Sequence, residues 1–445
     1  MKIKKLISAL VLGSMLVGLS GCNITDFSAE NLLRPPKAVG DEAEIEQLIA
    51  KTADSGYTLK YPKNGKFRSA IIMTDLDGND SNEAVAFFRN SAETSSVHML
   101  VMYPKDNSWK IASDNIFETT DIDSVDFADL TGNGKAEIIV NSTTYTPNVG
   151  KLSCYSYSEG KTNEVGSGQS CSSFVTGDFD NDGTSEIMCL VLYTTENEAL
   201  ASMLDYNEDS KSLYAKAMAN MDPNVVKYKN IAVTKLDNDI TGIVVDGTSA
   251  NEVTNTQVIF YSRDLAILRN PLFKEKAKNI TRRSSQVICS DIDKDGKLEI
   301  PVTLDLPKQS GDSKNIYADK IIWNSFDASK EALVAKQAVI INYDYMFMMN
   351  YADKWSENKV TAITDLESGT TSFYAWNGTK LDTELFEIKV FPVSKWESGK
   401  SNDFTLITKD DKYAYTFNNI NPDTQISLSD DEIKTGFSTL DQSGI

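Results

Sequence analysis

The sequence predicts an all-β chain, a β-propeller of about seven four-stranded antiparallel blades preceded by a short N-terminal helix. Three observations predict it. One acidic loop recurs four times in the same frame. Each copy sits between apolar strands that are followed by an aromatic, β-branched strand and a turn. The copies start at residues 75, 129, 178 and 291, and a weakened copy at 235 splits the long gap into 57 and 56 residues. Self-similarity at such a period is the mark of a repeat architecture with one loop per unit.

The chain opens with Lys2, Lys4 and Lys5, an apolar run from Leu6 to Leu19, and a small-residue site at Leu19-Ser20-Gly21-Cys22. Residues 1–21 read as a secretory signal, too short for a spanning helix. The four residues ending at Cys22 resemble the lipobox of bacterial lipoproteins. That resemblance implies cleavage before Cys22, a diacylglyceryl thioether on its sulfur, and an extracellular protein held on the outer face of the cytoplasmic membrane. No later stretch is apolar for the roughly 18 residues that spanning requires, so the expected membrane contact is the lipid anchor only. Residues 22–56 then form a tether with Pro35 and Pro36 and a short helix. Asp41 is its expected cap, with Glu44 in the capping-box position, and Ile45, Leu48, Ile49 and Thr52 share one face.

Blades are expected over residues 57–445. In the first, Ala70-Ile-Ile-Met-Thr precedes the loop and Glu83-Ala-Val-Ala-Phe-Phe follows it. Val97-His-Met-Leu-Val-Met-Tyr is the third strand and Trp109-Lys-Ile-Ala the fourth. The order recurs near 122–166, 172–217, 229–268 and 285–339. Two further blades are expected from Lys354-Trp355 and Lys395-Trp396, 41 residues apart and each followed by an aromatic strand. Tyr57 to Tyr61 is the candidate for closing the ring, which would remove exposed strand edges.

The loops carry the chemistry. Their oxygen-bearing residues stand at offsets 0, 2, 4 and 8: Asp75, Asp77, Asn79 and Glu83; Asp129, Thr131, Asn133 and Glu137; Asp178, Asp180, Asp182 and Glu186; Asp291, Asp293, Asp295 and Glu299. A calcium ion takes about six to eight oxygens from a short flexible loop, and alternate residues of a tight turn can supply them. Asp80, Gly134, Gly183 and Gly296 stand at offset 5, where the turn needs a residue tolerant of positive φ. Turns rich in Asp, Asn and Gly also occur merely as strand connections, but four in one frame, each ending in Glu, favour calcium. An EF-hand is excluded, because the position of its bidentate Glu holds Ala86, Val140, Cys189 and Val302. The loops at 178 and 291 offer four carboxylates each and are expected to bind calcium more tightly than the loop at 129.

The third copy, Val175-Thr-Gly-Asp178-Phe-Asp180-Asn-Asp182-Gly183-Thr-Ser-Glu186, resembles the repeat of FG-GAP and VCBS proteins, the integrin-α-like β-propellers. Through its loops the resemblance covers about residues 57–340. It implies a calcium ion at each intact loop, bound by the residues at offsets 0, 2, 4 and 8 and a backbone carbonyl. The chain departs from the pattern where the copy at 235 begins with Lys235 and lacks its Glu, and in the last two blades, which have no loop. The whole layout resembles the VCBS-repeat lipoproteins of Gram-positive bacteria.

Composition narrows the partners. With 64 acidic and 44 basic residues the formal charge is −20, a surface that repels nucleic acid and anionic lipid. Cys189 and Cys289 lie in apolar strands. Cys154 and Cys171 flank one hairpin and are either a disulfide or two free thiols. Catalytic candidates are few: His98 is the single histidine and sits in an alternating strand, and neither a zinc-ligand cluster nor a nucleophile motif with its partners is present. The expected function is therefore a non-catalytic surface module, not an enzyme, that binds an unknown protein or glycan ligand. Its rivals are an extracytoplasmic polysaccharide-active enzyme and an envelope-assembly scaffold.

Overall fold

The computed structural model describes residues 40–440 except 55, 238, 275–276, 285–286, 356–358 and 400–402. Residues 1–39, with the expected signal segment, Cys22 and most of the tether, lie outside the described residues.

Strands dominate, as expected, and among the described residues they form six antiparallel sheets. The first holds Tyr57–Leu59 and Ile71–Thr74, both paired with Glu83–Asn90, followed by Val97–Lys105 and Ser108–Phe117. The second runs from Ile122–Ala128 to Lys161–Cys171, the third from Ser173–Gly177 to Ser212–Asn220, and the fourth from Val225–Asp237 to Ile267–Arg269. These three are four-stranded meanders, the shape of a propeller blade. The fifth sheet gathers Ile300–Asp305, Asp319–Asp327, Ala332–Asn342, Phe347–Asn350 and, from the chain end, Phe437–Thr439.

The two tryptophan repeats do not make two blades. Val360–Asp365, Thr370–Trp376, Leu381–Pro392, Tyr413–Asn419 and Thr405–Lys409 share one six-stranded sheet with Ile316–Tyr317. Their tryptophans also play different parts. Trp355 is fully buried against Phe373 and Phe386, whereas Trp396 lies in a five-residue helix, Val393–Glu397, on the flank of Phe391.

Apolar residues on both faces of the inner strands explain their continuous hydrophobic runs. In Glu83–Asn90, Val85 and Phe87 pack with Val125, Ile138 and Val140 of the second sheet. Ala84, Ala86 and Phe88 point the other way. Further clusters join the second sheet to the third through Ile139, Leu152, Ile187 and Cys189, and the third to the fourth through Met188, Leu190, Ile243 and Val245. Val258, Phe260, Ile300 and Phe326 join the fourth to the fifth; Ile340, Phe347, Phe373 and Phe386 join the fifth to the sixth. Among the described residues no apolar cluster joins the first sheet to the last.

Helix α1, Asp41–Ala53, covers the outward face of the first sheet instead. Its apolar residues Ile45, Ile49 and Ala53 recur at i, i+4 and i+8 and pack on Ala84, Ala86, Phe88, Leu100, Met102 and Trp109. Each fully buried isoleucine contributes roughly 1.5–3 kcal/mol. In a closed ring the last blade would meet this face. Tyr57–Leu59, the expected closing strand, pairs within the first sheet to Phe88–Asn90. The cap also differs from expectation. Gly40, at φ 65°, precedes the helix, Asp41 is its first residue, and the Glu44 carboxylate accepts the Trp109 N–H at 3.1 Å.

Cys154, Cys171, Cys189 and Cys289 are all free and buried, which settles the disulfide alternative in favour of thiols. His98 is structural. Its Nδ1 is 2.9 Å from Asp114, its Nε2 3.1 Å from Glu93, and its ring stacks on Phe88.

Candidate metal centres

The four acidic loops share one hydrogen-bond frame, and backbone demand builds it. The offset-0 carboxylate accepts the N–H groups of offsets 4 and 5. Asp75 bonds Asn79 and Asp80 at 3.2 and 2.8 Å, Asp129 bonds Asn133 and Gly134 at 3.2 and 2.8 Å, Asp178 bonds Asp182 and Gly183 at 3.1 Å each, and Asp291 bonds Asp295 and Gly296 at 3.1 and 2.9 Å. The oxygen at offset 4 (Asn79, Asn133, Asp182, Asp295) accepts the N–H two residues on, at 2.7–2.8 Å. The offset-8 glutamate uses one oxygen to accept the N–H of offset 1. Glu83 takes Leu76 at 2.8 Å, Glu137 Leu130 at 2.9 Å, Glu186 Phe179 at 2.8 Å and Glu299 Ile292 at 3.1 Å.

Offset 5 has positive φ in every copy, Asp80 at 65° and the glycines at 80–94°. Offset 3 does too, which the sequence reading missed: Gly78, Gly132, Asn181 and Lys294 lie at 60–73°. Glycine stands there only where another loop follows on the next sheet. A Cβ on Gly132 would stand 2.7 Å from Thr184 Cγ2, and one on Gly78 3.2 Å from the Gly134 carbonyl oxygen. Among the described residues the weakened copy at 235 forms no such loop; Val225–Asp237 pairs antiparallel with Ile240–Ser249.

Three loops bring carboxylates together. One oxygen from each of Asp178, Asp180, Asp182 and Glu186 lies within 4.8 Å of the others, and so do those of Asp75, Asp77 and Glu83 and of Asp291, Asp293 and Asp295. The loop at 129 gathers only Asp129 and Glu137, with the Thr131 hydroxyl donating to Glu137 at 3.4 Å. The glutamates are buried, 0–2 % exposed. Burial, with neighbouring Asp charges, pushes Glu137 up to about 7 and Glu186 up to about 8, and raises Glu83.

Asp77 Oδ1, Asp180 Oδ1 and Glu186 Oε1 are buried without a hydrogen-bond partner. A buried carboxylate oxygen left unpaired is costly. Orphaned oxygens aimed into a carboxylate cluster are what a bound cation would satisfy. These loops can hold a metal ion.

Two lysines were not foreseen. Lys216 Nζ pairs with Asp180 and, at 2.8 Å, with Asp205; Lys336 Nζ lies 2.7 Å from Asp293 and 3.0 Å from both Asp295 and Glu299. They reach in from strands 30 or more residues downstream, so no local spacing announces them.

No family model and no curated protein matches the chain. Solved structures do. The chain is similar to Sqt1 of Saccharomyces cerevisiae at 12 % identity and TM-score 0.35, over 80 % of this chain and 86 % of that one. A protein from Lactobacillus plantarum is similar at 9 % identity and TM-score 0.30, over 72 % and 86 % of the two chains. So is the exotype rhamnogalacturonan lyase YesX, at 9 % and 0.30, over 72 % and 73 %. The last corrects the expectation that the chain is not an enzyme. The likeness is one of fold alone and assigns no catalytic residue here.

Proposed function

We propose that this chain is a calcium-stabilised propeller of the FG-GAP/VCBS kind that acts as a binding or interaction module at the cell surface, held through a lipid on Cys22. The orphaned oxygens of Asp77, Asp180 and Glu186 inside acidic loops carry the calcium part. Oxygen-only ligands on a flexible loop suit a hard cation, and calcium tolerates irregular geometry better than magnesium does. Asp75, Asp77, Asn79 and Glu83 would hold one ion, and Asp178, Asp180, Asp182 and Glu186 another. The residues at 129 and 291 would complete the set. An ion there crosslinks two neighbouring strands of one blade and neutralises part of the negative surface.

The lipobox supports placement on the outer face of the cytoplasmic membrane, and the charge of −20 disfavours nucleic acid, leaving a protein or glycan ligand. Calorimetric titration of metal-stripped protein tests the reading. Calcium should bind saturably at two or more sites and magnesium weakly; no calcium binding would remove it. Replacing Cys22 by Ala should release the protein from membranes, and a variant still held there after washing would contradict the anchor. A glycan array probed with and without calcium would identify the ligand class.

A further inference from the structure

In each loop-bearing sheet, the third strand of that sheet after the acidic loop carries a one-residue bulge at an equivalent place. Register skips Ala112 between Ile111 and Ser113, Val165 between Glu164 and Gly166, Lys216 between Ala215 and Ala217, and Lys336 between Ala335 and Gln337. A bulge re-aims its extra side chain. In the first two sheets that side chain is apolar and packs into the interface with the next sheet. In the third and fifth it is a lysine whose ammonium group enters the sheet's own acidic loop.

The division follows charge. At offsets 0, 2, 4 and 8 the two loops facing an apolar bulge offer three and two carboxylates, and the two facing a lysine offer four each. Lys336 touches three of its four, Asp293, Asp295 and Glu299. Lys216 pairs with Asp180 Oδ2 and, outside the loop, with Asp205, while Asp180 Oδ1 and Glu186 Oε1 stay unpaired. In both loops the ammonium group occupies a carboxylate that a calcium ion would need.

We propose that Lys216 and Lys336 are tethered counter-cations that hold the loops at 178 and 291 folded without calcium and compete with calcium for the same carboxylates. The inference rests on the calcium reading of these loops. An ammonium group on these carboxylates, 2.7–3.0 Å away for Lys336, and a divalent ion on the same carboxylates repel strongly at such range, so the lysine must swing out for the ion to enter. Both side chains allow it, being 23 % and 29 % exposed on flexible four-carbon stems. Four loops of one sequence pattern thus fall into two classes. Those at 75 and 129 depend on the ion. Those at 178 and 291 carry their own cation and load only when calcium displaces it, which overturns the order expected from counting carboxylates.

The test compares the full chain with its Lys216→Met, Lys336→Met double variant, in which stem volume is kept and charge removed. Two readouts are needed, calorimetric calcium titration and the melting temperature in excess chelator. The variant should bind calcium on the order of tenfold more tightly at two sites and melt lower than the parent in chelator, with the gap closing at saturating calcium. Unchanged affinity with calcium still binding would overturn the lysine inference and leave the calcium reading standing. No calcium binding by either protein would overturn the calcium reading and the competition with it. If the double variant fails to fold, single Lys336→Met carries the same comparison, since its loop lies at the more exposed site.

Discussion

The backbone N–H of Ser185 donates to the carbonyl oxygen of Asp129 at 3.0 Å, pinning the third acidic loop to the second. Ala136 does the same to Leu76 of the first loop, also at 3.0 Å. The loops of three successive sheets are therefore one hydrogen-bonded row, and an ion in one of them would stiffen its neighbours.

Gly132 is the tight point of that row. Its φ is 70°, and an added methyl would meet Thr184, whose N–H and hydroxyl are both tied to Asp182 and cannot give way. Gly132→Ala should destabilise the protein by about 1–3 kcal/mol. Gly134→Ala, with positive φ but open space around it, should cost less. Denaturant unfolding of the pair checks this; equal losses would show that the row is not close-packed there.

Much of the loop frame was legible in the sequence, because local backbone geometry sets it. The need for positive φ at offset 5 was readable, Asp80 included, since the turn is closed by residues within nine positions. The glycine preference at offset 3 was not, because it reflects a neighbouring loop about 50 residues away. Lys216 and Lys336 were invisible for a similar reason. A bulge is a property of register between strands, and nothing in Ala332–Asn342 alone distinguishes Lys336 from any solvated lysine. The ring-closing role expected of Tyr57 to Tyr61 failed because Tyr57–Leu59 pairs with Phe88–Asn90 of the first sheet, the half of that strand left open by Ile71–Thr74, which pairs with Glu83–Ala86. The two tryptophan repeats misled because spacing alone did not show that Trp355 is core and Trp396 is not.

The fourth sheet, which lost its acidic loop, is braced by a buried ion pair. Arg283 and Asp246 are fully buried and 2.7 Å apart, and Arg283 also donates to the carbonyls of Val287 and Thr281 at 2.6 and 3.0 Å. Cys289 N–H donates to the second oxygen of Asp246 at 2.7 Å. Removing one partner leaves an uncompensated charge, so Arg283→Met should cost about 3–5 kcal/mol. A loss under 1 kcal/mol in denaturant unfolding, at roughly the level of an exposed pair, would contradict this account of the segment.

Asp305 and Asp319 face each other directly across an antiparallel pair, like charge against like. Burial, then the neighbouring Asp305, raises Asp319 above the usual carboxylate range. A raised folded-state value means that the fold favours the protonated form. Stability is therefore lost as pH rises from the unfolded value through the raised one. Asp319→Asn should stabilise by roughly 0.5–1 kcal/mol at pH 7 and have little effect near pH 3. Melting curves of both proteins at the two pH values check it, and a variant no more stable at pH 7 would count against it.

The most direct test of calcium as a structural ion is thermal unfolding of the protein with and without chelator, at low salt and with metal removal confirmed. A ligand bound only by the folded state adds about 2.7 kcal/mol per site at a hundredfold excess over its dissociation constant. Chelation should lower the melting temperature markedly, added calcium should restore it saturably, and Asp77→Ala should blunt the response at the first loop. A melting curve unchanged by chelator would show the acidic loops to be ordinary turns.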